Sequence, residues 1–87
     1  MKPKLTIDAI GTKVWKLANG KRHREDGPAF EDTEGYKAWW VNDKRHREDG
    51  PAIEAIDYKA WFLDDVEYTE QEHKSKTRSI KLKQLLK

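Results

Sequence analysis

Two identical runs concentrate the side chains best suited to chemistry. Lys21-Arg22-His23-Arg24-Glu25-Asp26-Gly27-Pro28-Ala29 returns 23 positions later as the same nine residues from Lys44 through Arg45, His46 and Arg47 to Ala52. Arginine offers a planar fork of donors and histidine a stackable ring, so each run is suited to gripping phosphate. Each also passes straight into Glu-Asp, which leaves a local charge of only +1. The plainer reading is therefore internal: Arg24 and Arg47 pair with the neighbouring acids and hold a turn, as surface pairs worth ~0–1 kcal/mol each.

Other chemistries find less support. His23 and His46 on adjacent units suggest a metal or acid–base pair, but the chain has no cysteine and His73 lies far along it. Adjacent carboxylates such as Glu25-Asp26, Glu48-Asp49 and Asp64-Asp65 point to opposite sides of a strand and cannot share one substrate atom. No Ser/His/Asp grouping or phosphate-cradling glycine loop stands out. The expectation is a protein that is not an enzyme, with no cofactor and no metal.

The elements that must position these residues are short strands. Asn19-Gly20 and Asn42-Asp43 are turn pairs that accept positive φ, and Gly27-Pro28 and Gly50-Pro51 interrupt a ladder because proline has no N–H. Each unit opens on an aromatic strand: Lys13-Val14-Trp15, Lys37-Ala38-Trp39-Trp40, Lys59-Ala60-Trp61-Phe62. Alternation puts Trp15 with Leu17, Trp39 with Val41 and Trp61 with Leu63 on one face, expected to be core. The alternate positions carry Tyr36, Trp40, Tyr58 and Phe62, a second aromatic face expected to be covered or used for binding.

The chain thus divides into a β-hairpin domain over 1–68, with units at about 13–36 and 37–58 and a truncated one at 59–68, and a basic tail over 69–87. The truncated unit keeps Asp64-Asp65 and loses the nine-residue run, as expected of a terminal cap. Thr69-Glu70-Gln71-Glu72 has the form of a capping box that starts a helix. Leu82, Leu85 and Leu86 then share a helical stripe, although Ser79 to Lys83 also alternates like a strand; helix is the preferred reading. Residues 1–73 hold 12 Lys/Arg against 16 Asp/Glu, net −4, whereas Lys74, Lys76, Arg78, Lys81, Lys83 and Lys87 meet no acid, net +6. The tail either folds back on its own body or binds RNA or an acidic protein surface.

At 87 residues the chain has room for one domain, and 39% charged against 36% hydrophobic residues would suggest disorder without its regularly placed four Trp, three Tyr and two Phe. The absence of cysteine fits a reducing compartment. No signal-peptide run or bilayer-length apolar stretch is present, so the expected location is cytoplasmic, away from membranes.

Trp15-Lys16 through Asn19-Gly20-Lys21-Arg22-His23 resembles the Trp-Lys-Asn-Gly-Lys-x-His run of membrane occupation and recognition nexus (MORN) repeats, and the period of 23 is similar. Where those repeats continue His-Gly-x-Gly, this chain has His-Arg-Glu-Asp-Gly-Pro-Ala, which resembles the divergent variety of phages and giant viruses. Over residues 13 to about 68 the resemblance implies stacked β-hairpins and an interaction scaffold without catalytic residues. The expected architecture is mainly β, stacked MORN-like hairpins with a short C-terminal helix. The expected function is a small viral protein that binds a host factor handling nucleic acid and inhibits or redirects it in the host cytoplasm. The alternative is direct RNA binding by the Lys-Arg-His-Arg runs and the tail. An open sheet edge would also allow homo-oligomers.

Overall fold

The computed structural model describes residues 2–85. The protein is mainly β, with nine short strands followed by one helix among the described residues. A seven-stranded antiparallel sheet has the order β1 (Lys4–Ile7), β2 (Lys13–Lys16), β3 (Phe30–Glu31), β4 (Lys37–Ala38), β7 (Ile53–Ala55), β8 (Tyr58–Leu63), β9 (Val66–Tyr68). A two-stranded ribbon pairs β5 (Trp40–Val41) with β6 (Lys44–Arg45).

The register accounts for how so charged a chain folds. One cross-strand row reads Lys13, Glu31, Lys37, Glu54, Lys59, each charge directly opposite its complement. Lys37 Nζ lies 3.8 Å from Glu31 Oε2. The adjacent row reads Val14, Phe30, Ala38, Ile53, Ala60. Opposed unlike charges in one row and apolar pairs in the next let the same alternating pattern specify both pairing and side.

Beyond the sheet the aromatic strands run on into hairpins. Trp40 faces Arg45 and Val41 faces Lys44, while Trp61, Phe62 and Leu63 face Tyr68, Glu67 and Val66. Asn42 and Asp43 (φ 50° and 66°) and Asp64 and Asp65 (φ 48° and 69°) both take positive φ, the two-residue turn that matches strand twist. The first hairpin differs from the two-residue turn expected at Asn19-Gly20. Of that pair only Gly20 has positive φ, and a longer loop closes from Leu17 N–H to Lys21 O. Backbone bonds then join successive hairpins. Arg24 N–H donates to Trp40 O at 3.0 Å and Asp43 N–H to Arg22 O at 2.8 Å. The same bonds recur from Arg47 N–H to Phe62 O and from Asp65 N–H to Arg45 O.

The core is not the single face expected. Leu17 and Leu63 are buried on the expected side, but Ala38, Ala60 and Phe62 are buried on the other, together with Ile53, which stands opposite Ala38 and Ala60; Ala29 and Ala52 are buried as well. Trp15, Trp39 and Trp61 are only half-buried. The reason is a second cover: arginine side chains lie over Trp15 and Trp39, so these strands are enclosed from both sides.

Helix α1 (Glu70–Leu85) starts at the expected capping box, with Glu72 N–H donating to Thr69 Oγ1 (3.1 Å) and Thr69 N–H to Glu72 Oε1 (3.0 Å). It packs on β8 and β9 through His73 (2% exposed) and Thr77 (8%). The leucine stripe does not dock: Leu82 is 54% and Leu85 81% exposed, and Leu86 lies outside the described residues. Among the described residues no helix is long and apolar enough to cross a membrane.

Candidate functional site

The two Lys-Arg-His-Arg runs are placed alike, and most of their hydrogen-bonding capacity is spent inside the molecule. Arg24 lies over Trp15 at 3.9 Å and Arg47 over Trp39 at 3.8 Å. Arg24 Nε donates to Asp26 and its Nη1 to Pro28 O; Arg47 repeats both bonds with Asp49 and Pro51 O. A lid of this kind needs room beside it, which explains Gly27 and Gly50. A Cβ at either glycine would come within 2.9 Å of the guanidinium carbon.

The other arginines reach across to the next hairpin. Arg22 Nε donates to Asp43 Oδ1 and Arg45 Nε to Asp65 Oδ1, both at 2.8 Å. Those bonds hold the Asp43 and Asp65 carboxyls below the ordinary carboxylate value, and the bond from Arg47 does the same for Asp49. The histidines also fasten neighbouring hairpins: Asn42 N–H donates to His23 Nδ1 and Asp64 N–H to His46 Nδ1, each at 3.0 Å. An accepting Nδ1 puts the proton of a neutral ring on Nε2, which in His46 lies 3.3 Å from Glu48 Oε2. That leaves neither neutral ring a spare lone pair for a metal. Among the described residues no group of three or more His, Asp or Glu is placed to hold one.

The proposed aromatic face is dispersed. Phe62 is 5% exposed and lies under Arg45 at 4.3 Å, so it belongs to the core and presents no contact surface. Trp40 is half-buried between Arg22 at 3.7 Å and Arg45 at 5.9 Å, and Tyr36 is half-buried edge-on to Phe30. Tyr58 is exposed at the start of β8. Lys21 and Lys44, the leading residues of the runs, are exposed as well.

The tail presents the larger open surface. His73 Nε2 meets Arg47 O at 2.6 Å, which fixes the N-terminal half of α1 against the second run. Trp61, which has no arginine lid, borders a concavity shared with His73, Lys74 and Thr77. At 100° per residue, Arg78, Leu82 and Leu85 then fall on the side turned away from His73 and Thr77. Lys74 and Lys81 lie on one flank and Lys76 and Lys83 on the other. All seven residues are exposed. Lys81 borders a second concavity with Trp39, His46 and Arg47 and helps hold Asp49 ionised, while Lys76 lies over the Tyr68 ring at 5.9 Å.

Sequence reasoning found the basic tail and missed how it is anchored. His73, weighed only as a poor ligand, is the most buried polar side chain described. The available signal was its spacing: His73, Thr77 and Ile80 recur at i, i+4 and i+7 and form the inner side of the helix. Compared with known protein families, curated proteins and solved structures, the chain matches no family model, no curated protein and no solved structure.

Proposed function

We propose that this chain is a non-catalytic interaction module of the viral type its MORN-like sequence implies, one that captures a host protein handling nucleic acid and inhibits or redirects it. Its contact surface is the outer side of α1. One observation carries the reading: an anchored helix exposes Leu82 and Leu85 beside Arg78, Lys81 and Lys83, with no acid after Glu72. Apolar anchors at helical spacing within a basic rim suit an acidic protein groove. The leucines add nothing to phosphate binding, so they favour a protein over RNA. The recurrence of the arginine, histidine and backbone bonds between successive hairpins supports the stacked-repeat part of the proposal.

The test immobilises the full chain, exposes it to cell lysate with and without nuclease, and repeats this with a Leu82→Ser/Leu85→Ser variant. A protein retained after nuclease treatment and lost with the variant supports the reading. Material released by nuclease, with binding that weakens log-linearly with salt, assigns the surface to RNA and overturns it. A partner held equally by the variant also overturns the assignment to α1.

A further inference from the structure

The far end of the molecule carries a second surface, independent of α1. Strand β1 ends the seven-stranded sheet, with β2 on one side and an open edge on the other. All four of its residues are exposed, Leu5 at 44% and Ile7 at 57%, and Ile10 in the following turn at 78%. An open edge leaves backbone donors and acceptors directed outward, ready to take another strand. The opposite edge of the sheet, β9, runs directly into α1, which packs on it.

The sequence of this edge is self-complementary. Antiparallel pairing with a second copy about a two-fold axis at Thr6 sets Leu5 opposite Ile7, Ile7 opposite Leu5, and Lys4 opposite Asp8. Opposite residues of an antiparallel pair project to the same side, so the apolar pairs fall together on one face, and the charge pairs project from the other face at the two ends of the ladder. Moving the axis to Leu5 brings Pro3 into the ladder opposite Ile7, at the cost of a backbone donor. The Asp8 carboxylate is held in place by its turn: Oδ1 accepts from the N–H groups of Ile10, Gly11 and Thr12 at 2.9–3.0 Å. Those bonds keep it ionised, the one from Thr12 contributing most.

We propose that β1 pairs with the β1 of a second copy in this register and joins two seven-stranded sheets into one continuous sheet. Each copy brings only residues 4–8 to the ladder, an area well below the ~1,600 Å² of a standard stable interface. The dimer is therefore weak and depends on concentration, and α1 of each copy stays at the far end, free for its own partner.

The register gives the proposal a sharp test, because the chain has no cysteine. The wild-type chain is examined by sedimentation equilibrium from low micromolar to millimolar concentration, and Thr6→Cys and Lys4→Cys variants are compared under mild oxidation. Expected are a mass that rises from 10.3 kDa towards twice that value and cross-linking of the Thr6→Cys chain at least tenfold faster than of the Lys4→Cys chain. Directly opposed residues come within disulfide reach, whereas position 4 faces position 8. Lys4→Glu, which opposes a carboxylate to Asp8, weakens the dimer several-fold. A mass that stays at the monomer value leaves the edge to a strand of some other protein and overturns the proposal, as does cross-linking at equal rates from positions 4 and 6.

Discussion

The smallest working unit of this protein is an arginine laid over a tryptophan. Arg47 covers Trp39, bonds Asp49 and Pro51 O, and fits because residue 50 has no side chain. Gly50→Ala is expected to lose about 1 kcal/mol by displacing that lid, and to lose almost nothing in an Arg47→Ala background. Urea titrations of the two singles and the double measure the coupling. The carboxylates add a pH dependence of known sign. Asp43, Asp65 and Asp49 are held below their ordinary value by arginine bonds, so their contribution is present above the unfolded value near 3.8 and is lost as pH falls through the lowered folded values. Thermal melts between pH 6 and pH 2 are expected to show a steep loss below about pH 4, shallower in Asp43→Asn/Asp65→Asn. The pairing of Arg24 and Arg47 with nearby acids was legible in the sequence because the partners lie two residues away. That of Arg22 with Asp43, 21 residues on, was not, because only the bonding of one hairpin to the next brings them together.

At the scale of elements, α1 replaces the missing third lid. Trp61 borders the concavity that His73 and Thr77 share, and His73 fixes the helix beside it by meeting Arg47 O. Removing the imidazole leaves that carbonyl without its partner, so His73→Ala is expected to cost about 2 kcal/mol and to raise the exposure of Trp61 to a fluorescence quencher. Thr69→Ala, which removes the hydroxyl cap, is expected to cost about 1 kcal/mol and to fray the helix from its first turn, read by circular dichroism. Loss of helical signal in Thr69→Ala without any change at Trp61 would count against this role for the helix. The capping box was readable because it is local chemistry, four residues long. Whether and by which side the helix docks was left open, because three leucines outweigh one histidine in a hydrophobic pattern, whereas geometry chose the side chain that completes a hydrogen bond. The aromatic strands were misjudged for a related reason: alternation shows which residues share a side, and arginine lids made both sides interior.

Taken whole, the molecule has three hairpins joined by bonds that run only from each to the next. Arg45, His46 and Arg47 hold the hairpin that follows them, through Asp65, Asp64 and Phe62. In the last hairpin Glu67, Tyr68 and Thr69 occupy the corresponding positions, so the gripping groups are gone and Thr69 caps α1 instead. In the first hairpin Ala18-Asn19-Gly20 stands where the others present an aspartate, so no carboxylate waits for an arginine. The middle, by contrast, both receives and gives. A second copy of residues 25–47 inserted after Arg47 therefore meets a giving arm before it and a receiving hairpin after it, and lengthens the array without altering either end. If neighbouring hairpins stabilise one another, this longer chain unfolds in one transition at higher urea, with a dependence on denaturant steeper by about a quarter, in proportion to the added surface. Two separate transitions, or an unchanged slope with loss of the helical signal, would show that the bonds between hairpins do not couple them.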